Sequence, residues 1–391
     1  MIGGLTKTTS RLAIATAFAA FASTGVMAAD LGGNCCSDLE ERVAELEATT
    51  ARKGNRRVSL EVSGHVHEGI MIWDDGFDDG VYIGTVNYSR TRYRFKGSAT
   101  INSDWSAGFL IEIGLRATGN TSGWDQGSHN PAGLDIRHQA LYVKSKRLGT
   151  LWLGHTSMAV DGIADICLGC PISSTHESQL VFSGFESRFG AGAFGPSWGT
   201  IGAGNNVASN GARRQLLRYI SPEFAGFVFS ADWGAFEDAD SPDNWTVALR
   251  YANEFNGVRI AGGAGYHSTN DGLDTVDYEG WGISGSIQHT ASGFFVAGSY
   301  GEQTDNNLDV ATAPVYLGVA AVTGVDDTTD GWSVIAGVGR KFSPMGATTF
   351  WVRYGEYTGR TFAFGGDAWT GESEVLGFGV NQKIDAAAME V

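Results

Sequence analysis

Arg92-Tyr93-Arg94-Phe95-Lys96-Gly97-Ser98-Ala99-Thr100-Ile101 changes character at almost every step. On an extended chain, Tyr93, Phe95, Ala99 and Ile101 fall on one face, and Arg92, Arg94, Lys96, Ser98 and Thr100 on the other. A period of two marks a strand with one apolar side. The three cations opposite it need water. In a sandwich the apolar faces share a core, so such cations lie outside; in a lipid-embedded barrel they lie inside.

The pattern recurs on both sides of this stretch. Val58, Leu60, Val62 and Val66 alternate with polar residues, as do Trp245, Val247, Leu249 and Tyr251. Trp281, Ile283 and Ile287, then Phe350, Val352 and Tyr354, then Leu376, Phe378 and Val380 do the same. The connections alternate in length. Short turns fall at 102–106, 145–149, 221–226, 254–257, 290–293 and 343–346; longer stretches occupy 74–89, 118–134, 155–212, 236–244, 268–280, 303–331 and 360–372. Short turns at one end and long loops at the other describe a transmembrane, antiparallel, up-and-down β-barrel. Fourteen strands and the start of a fifteenth at 386–391 are readable. A closed bacterial barrel has an even count, so the expectation is sixteen strands, with the last ones missing from a C-terminally incomplete chain.

Composition agrees with an all-β membrane protein. The 391 residues are 42% hydrophobic and contain 56 Gly, 11 Trp, 12 Tyr and 21 Phe, which suits many strands, turns and interfacial girdles. A formal charge of -16 argues against nucleic acid, whose phosphates would be repelled. Lys7 and Arg11 precede the apolar run Leu12 to Val26, and Val26-Met27-Ala28-Ala29 is a small-residue cleavage site. Residues 1–28 thus read as a secretory signal peptide, and no later run has the length of a spanning helix. A barrel is the other structure that crosses lipid with its backbone satisfied.

Residues 29–56 are expected to form an N-terminal periplasmic segment ahead of the barrel of 57–391. Ser37 and Glu40 make a capping-box signature, and Leu39, Val43 and Leu46 follow a coiled-coil spacing. Two heptads leave open whether this helix adds to an oligomer or simply frays. Cys35 and Cys36 are adjacent, and their pairing is undecided.

The connection from His155 to Ala212 is far longer than a compact domain keeps without a use. It is read as a loop folded into the barrel, narrowing the channel. It carries Asp161, Asp165, Glu177 and Glu186, and Cys167-Leu168-Gly169-Cys170. Cys-x-x-Cys suits redox chemistry or half a zinc site, but the strand-to-helix setting and the further ligands are missing. In an exported chain the expected state of Cys167 and Cys170 is a disulfide. By strand phase the inward cations are Arg92, Arg94, Lys96, Arg116, Arg214, Arg218, Arg250, Arg259 and Arg353. A basic wall facing an acidic loop would set a transverse field across the water. The competing reading pairs these arginines structurally with acids at the rim.

Other motifs carry less. His65 and His67 share a strand face and read as polar lumen residues before a metal pair. Gly190-Ala191-Gly192-Ala193-Phe194-Gly195 matches a nucleotide-loop pattern but lacks its strand-to-helix setting. Asp74, Asp75, Asp78 and Asp79 lack calcium-loop spacing and read as a solvated tip. No metal, cofactor or catalytic cluster is implied.

Arg213-Arg214-Gln215-Leu216-Leu217-Arg218-Tyr219-Ile220-Ser221-Pro222-Glu223-Phe224-Ala225-Gly226-Phe227 resembles the hairpin after the constriction loop of Gram-negative general porins. Arg137-His138-Gln139-Ala140-Leu141-Tyr142-Val143, followed by Gly149-Thr150-Leu151-Trp152-Leu153-Gly154-His155, resembles the hairpin before it; the family usually has an Arg after that Gly. The opening Val58–Val66 stretch behind a Cys-Cys and short helix is similar to alphaproteobacterial, rhizobial-type porins. The resemblance implies homotrimers of sixteen-stranded barrels in the outer membrane of a Gram-negative bacterium. It also implies contact with lipid and lipopolysaccharide, passive diffusion of ions and small hydrophilic solutes, and an inward third loop. A substrate-selective channel of the same fold and a secreted or surface β-structured adhesin are the alternatives.

Overall fold

A computed structural model describes residues 58–86, 89–116, 133–171, 184–189, 192–197, 213–234, 243–270, 277–306, 315–316, 327–364 and 367–391. The signal peptide, the helix after Ser37, Cys35, Cys36 and Glu177 lie outside these residues.

The described residues form twenty strands. The first four are β1 (Val58–His65), β2 (Glu68–Asp74), β3 (Asp79–Thr85) and β4 (Arg92–Thr100), followed by β5 (Trp105–Arg116), β6 (Gly133–Ser145) and β7 (Gly149–Ser157). Two short strands lie inside the long loop, β8 (Glu186–Phe189) and β9 (Ala193–Ser197). Then come β10 (Arg213–Ile220), β11 (Phe227–Gly234), β12 (Asp243–Phe255), β13 (Val258–Asn270), β14 (Asp277–His289) and β15 (Phe294–Asp305). The last are β16 (Val315–Tyr316), β17 (Thr328–Ser343), β18 (Gly346–Phe364), β19 (Asp367–Ile384) and β20 (Met389–Glu390).

One large sheet runs β1-β4-β5-β6-β7-β10-β11-β12-β13-β14-β15-β17-β18-β19-β20, each pair antiparallel, and β16 joins β18 off this path. Fourteen long strands and the beginning of another agree with the reading from alternation. The short turns fall where Gly and Asn mark them. Asn256 and Gly257, both at positive φ (49° and 80°), link β12 to β13 in two residues, the geometry that matches strand twist.

Two faces follow from the pleat. Leu249, Ile283, Ile287, Val296, Phe350 and Val352 are exposed on one of them. This apolar band is bordered by aromatic residues at both ends. Toward the long loops, Trp233 pairs with Trp245, Tyr266 with Trp281, and Tyr300 with Trp332. Their rings link sideways, Trp245 to Tyr266 at 5.2 Å, Trp281 to Tyr300 at 5.3 Å and Trp332 to Tyr354 at 5.6 Å. Toward the short turns, Phe227 meets Tyr251 at 4.7 Å and Phe342 meets Phe350 at 6.0 Å. An apolar band between two aromatic girdles is the outer surface of a transmembrane barrel. Among the described residues no helix is long and apolar enough to cross a membrane.

The first long connection departs from its reading as a loop over 74–89. β2 and β3 extend the β1/β4 hairpin, pairing Ile70 with Ile83 and Ile72 with Val81. At its tip, Asp75 is not simply solvated. Its Oδ1 accepts from the Phe77 and Asp78 N–H groups at 3.0 and 2.8 Å, and its Oδ2 from Arg188 Nε at 2.7 Å.

Candidate functional site

The polar face of the sheet is where chain chemistry gathers, and the long loop after β7 crosses it. Met158, Ala159, Val160 and Ile163 are buried with Leu216 of β10 and Ala248 of β12. Further along, Cys167 packs with Phe295 and Ala297 of β15 and Ile335 of β17, flanked by Cys170 and Trp351 of β18. Glycines make room for this packing: a Cβ at Gly263 would stand 2.7 Å from Ile166, and one at Gly265 2.9 Å from Val160.

Hydrogen bonds pin the same segment. The Ala159 N–H donates to the Asp232 carboxylate and to Thr246 Oγ1, the latter at 3.0 Å. Ser284 Oγ donates to the Ile163 carbonyl, and the Leu168 N–H to Ser286 Oγ at 3.0 Å. Arg250 Nη2 donates to the Asp161 carbonyl at 2.6 Å. Small hydroxyls on the strands thus serve backbone groups that the loop would otherwise bury unpaired. Cys167 and Cys170 are joined by a disulfide, their Cα atoms 5.5 Å apart.

The second half of the loop is held differently. Arg188 of β8 bonds Asp75, donates to the Gly192 carbonyl at 3.0 Å, and Phe185 lies edge-on to Trp73 at 5.4 Å. The first hairpin therefore clasps the β8–β9 hairpin.

A charged hub occupies the polar face of β4, β5 and β6. Glu112 of β5, with no exposed surface, accepts at Oε1 from Arg137 Nε at 2.7 Å and Arg92 Nη1 at 3.2 Å. Its Oε2 accepts from Arg94 Nε at 2.7 Å and also from Arg94 Nη2. Arg94 stands opposite Glu112 in the ladder. Arg137 reaches it through a register shift: His138 pairs with Glu112 while Ile136 pairs with Ile113, so Arg137 is an extra residue. Such a bulge re-aims side chains, and here Arg137 and His138 are both buried. His138 Nδ1 bonds Thr156 Oγ1 at 3.0 Å, and Arg90 pairs with Asp135 at 3.0 Å beside the hub.

The remaining sequence candidates are distributed as follows. Lys96 is half-buried opposite Leu110, and Arg116 ends β5 opposite Gly133. Arg214 donates to Thr269 Oγ1 at 3.0 Å, Tyr278 OH at 3.2 Å and the Asn244 side-chain oxygen. Arg218 donates to the Ser157 carbonyl at 3.0 Å, Arg259 to Gln288 Oε1 at 3.2 Å, and buried Arg353 to Tyr357 OH at 3.0 Å. Asp161 is half-buried, Asp165 is buried where the loop meets the wall, and Glu186 is half-buried at the start of β8. His65 Nε2 and His67 Nδ1 both lie against the Ser89 carbonyl, at 2.7 and 3.4 Å. Among the described residues no group of three or more His, Cys, Asp and Glu has metal-site geometry.

Sequence reasoning passed over Glu112, Arg137, His138 and Asp232. Glu112 had a signal: it is the lone charge in Phe109-Leu110-Ile111-Glu112-Ile113, on the phase opposite Phe109 and Ile111. Arg137 had none, because its aim depends on the bulge.

Solved structures share this architecture at low identity. The outer membrane protein OmpT of Vibrio cholerae is 12% identical, over 84% of this chain and 83% of that one, with a TM-score of 0.50. OmpF of Salmonella typhi, solved with daunomycin, is 13% identical over 81% and 89%, with a TM-score of 0.45. The anion-selective porin of Comamonas acidovorans is 15% identical over 83% and 98%, with a TM-score of 0.43. No curated protein sequence matches the chain. A family profile described as Gram-negative porin matches residues 12–387, and with that match the chain belongs to the Gram-negative porins.

Proposed function

We propose that this outer-membrane diffusion porin narrows its water path between the anchored first half of its third long loop and the charged hub of β4–β6. The observation that carries the reading is the seating of residues 158–170 on the polar faces of β10 to β18. Along the sheet, β15 under the disulfide lies eight places beyond β5 with Glu112. In a sixteen-stranded barrel those are opposite walls. Asp161 on the anchored half of the loop, with Arg92, Arg94 and Lys96 across from it, would then impose a transverse field on ions in a low-dielectric frame. Arg214 and Arg218 continue the basic lining.

The channel is passive: it sorts ions and small hydrophilic solutes by size and charge and makes or breaks no bond. Its apolar band and girdles face lipid and lipopolysaccharide, and three copies assemble as a homotrimer. Single-channel recordings in planar bilayers test the constriction. Deleting residues 161–170 should raise conductance well above that of the parent, and an unchanged conductance would refute the narrowing. A heat-sensitive band of three chain masses on detergent gels is the outcome expected for the trimer; monomer alone in mild detergent would exclude it.

A further inference from the structure

The β2–β3 hairpin has two unlike faces. On one, Trp73 stacks with Tyr82 at 6.1 Å and meets Phe185 of the third loop. The other carries Ile70, Ile72, Val81 and Ile83, with Ile70 opposite Ile83 and Ile72 opposite Val81. Each of these four is between 63% and 80% exposed. Asp74 and Asp79 border the block at the tip. A cross-strand block of bare aliphatics marks a surface that something covers. Hydrocarbon does not reach it. A barrel strand crosses the lipid core in about 9–11 residues. β4 has nine residues, and its ladder with β1 ends at His65 opposite Arg92. The hairpin lies past that end, on the long-loop side.

We propose that this aliphatic face docks on a second copy of the chain; the inference rests on the reading that copies assemble. The partner is chosen by the two sides of the barrel exterior, which differ. On β15 to β19, acids stand beyond Tyr300, Trp332 and Tyr354 toward the long loops. Glu302 lies opposite Asp330, and exposed Glu356 opposite exposed Glu374. Like charges in register already oppose one another there. A second copy, with the same formal charge of -16, would add to that repulsion. At the long-loop end of β5 and β6 the outward pairs are instead Ile113 with Ile136 and Leu115 with Leu134. Leu134 and Ile136 are both exposed. A stable interface buries about 800 Å² on each partner, more than four side chains supply, and this strip beside the hairpin extends the surface. An apolar centre with Asp74 and Asp79 at its edge has the anatomy of a protein contact. One hairpin then holds a neighbouring copy on one face and its own third loop on the other.

The test places a benzophenone amino acid at position 72 of the full-length chain and irradiates outer membranes. The expected product has two chain masses. An adduct confined to one chain, to lipopolysaccharide or to another protein would overturn the proposal. The same probe in place of Ile283, on the apolar band of β14, should label lipid; two-chain products of equal yield there would make the position-72 product uninformative contact and count against docking. The second measurement is the rate at which the three-chain band dissociates in detergent. Ile72→Asn with Val81→Asn should raise it at least about tenfold, since interface losses fall mainly on dissociation. A parental rate overturns the proposal even with a two-chain product, because contact without stabilisation is not docking. If the three-chain band persists while neither readout responds, the proposal fails and the assembly reading survives. If the parent shows no such band, both fail. Should the double variant not fold, the probe at position 72 decides.

Discussion

The polar face of the barrel is held together in two ways. On β4–β6 the wall is organised by charge, three guanidiniums around Glu112. On β10–β18 it is organised by packing and hydroxyls, with Val160, Ile163, Ile166 and the Cys167–Cys170 ring seated on Ala248, Ser284, Phe295 and Ile335. The same period-two alternation produces both, because alternation fixes only which face a side chain takes. What differs is the cover. Where the loop lies on the wall, the strands offer glycine, serine and even a fully buried Phe295, residues that suit a protein interface more than a water-filled lumen. On β4–β6 the wall instead carries three guanidiniums gathered on one carboxylate.

The charge-held wall should break most severely. Glu112→Ala leaves three converging cations with their shared partner gone, and loss of one side of a buried ion cluster costs about 3–5 kcal/mol. Urea unfolding followed by the gel shift of the folded barrel should show a loss of that size. A loss under about 1 kcal/mol would mean the hub is hydrated and not buried. The packed wall should yield next. A Cβ at Gly169 would stand 2.3 Å from the Phe295 ring and 2.8 Å from its Cβ, so Gly169→Ala cannot be absorbed by one rotamer. Overpacking of this kind costs about 1–3 kcal/mol, here relieved by lifting the loop tip. Single-channel conductance should rise while barrel unfolding changes little; unaltered conductance would show that the tip does not narrow the path.

This contrast also sets what was legible in the sequence. The strands were legible because Val247, Leu249 and Tyr251 alternate with Thr246, Ala248 and Arg250, and each short turn is announced by Gly or Asn, as at Asn256-Gly257. The disulfide was legible because only two residues separate its cysteines. The hub was not, because it depends on ladder register and on the bulge that turns Arg137 inward, both of which are non-local. The loop carboxylates were legible as residues but not as placements. Asp165 lies between Ala164 and Ile166 and is buried with both. The β2–β3 hairpin was hidden within an acidic stretch, although Ile70, Ile72, Val81 and Ile83 already alternate in the sequence.

The disulfide should matter less than the packing around it. A ring closed across four residues restricts the unfolded chain by at most about 2 kcal/mol. Cys167 is buried with Phe295 and Ile335 in any case. The Cys167→Ser/Cys170→Ser variant should keep its mean conductance and gain low-frequency current noise as the tip loosens. A full rise in conductance, matching the Gly169→Ala variant, would put the staple above the packing.

The smallest effect belongs to the clasp between the first hairpin and the second half of the loop. Asp75→Asn separates its parts, because an amide oxygen can still accept from the Phe77 and Asp78 N–H groups and keep the turn. What is lost is the charge facing Arg188, whose pairing is only about one-tenth exposed on either side, 11% and 13%. A double-mutant cycle with Arg188→Gln should give a coupling of about 1 kcal/mol, at the upper end for such pairs because water is largely kept out. The Lys341–Asp385 pair is the comparison, at 3.3 Å with 61% and 60% exposed side chains. Its coupling should be a few tenths of a kcal/mol at most and should vanish in 1 M salt, where screening acts within about 3 Å. The Asp75–Arg188 coupling should persist in that salt. If both couplings fall to zero together, the clasp is an ordinary surface ion pair, and the Trp73–Phe185 contact contributes more to holding the β8–β9 hairpin than charge does.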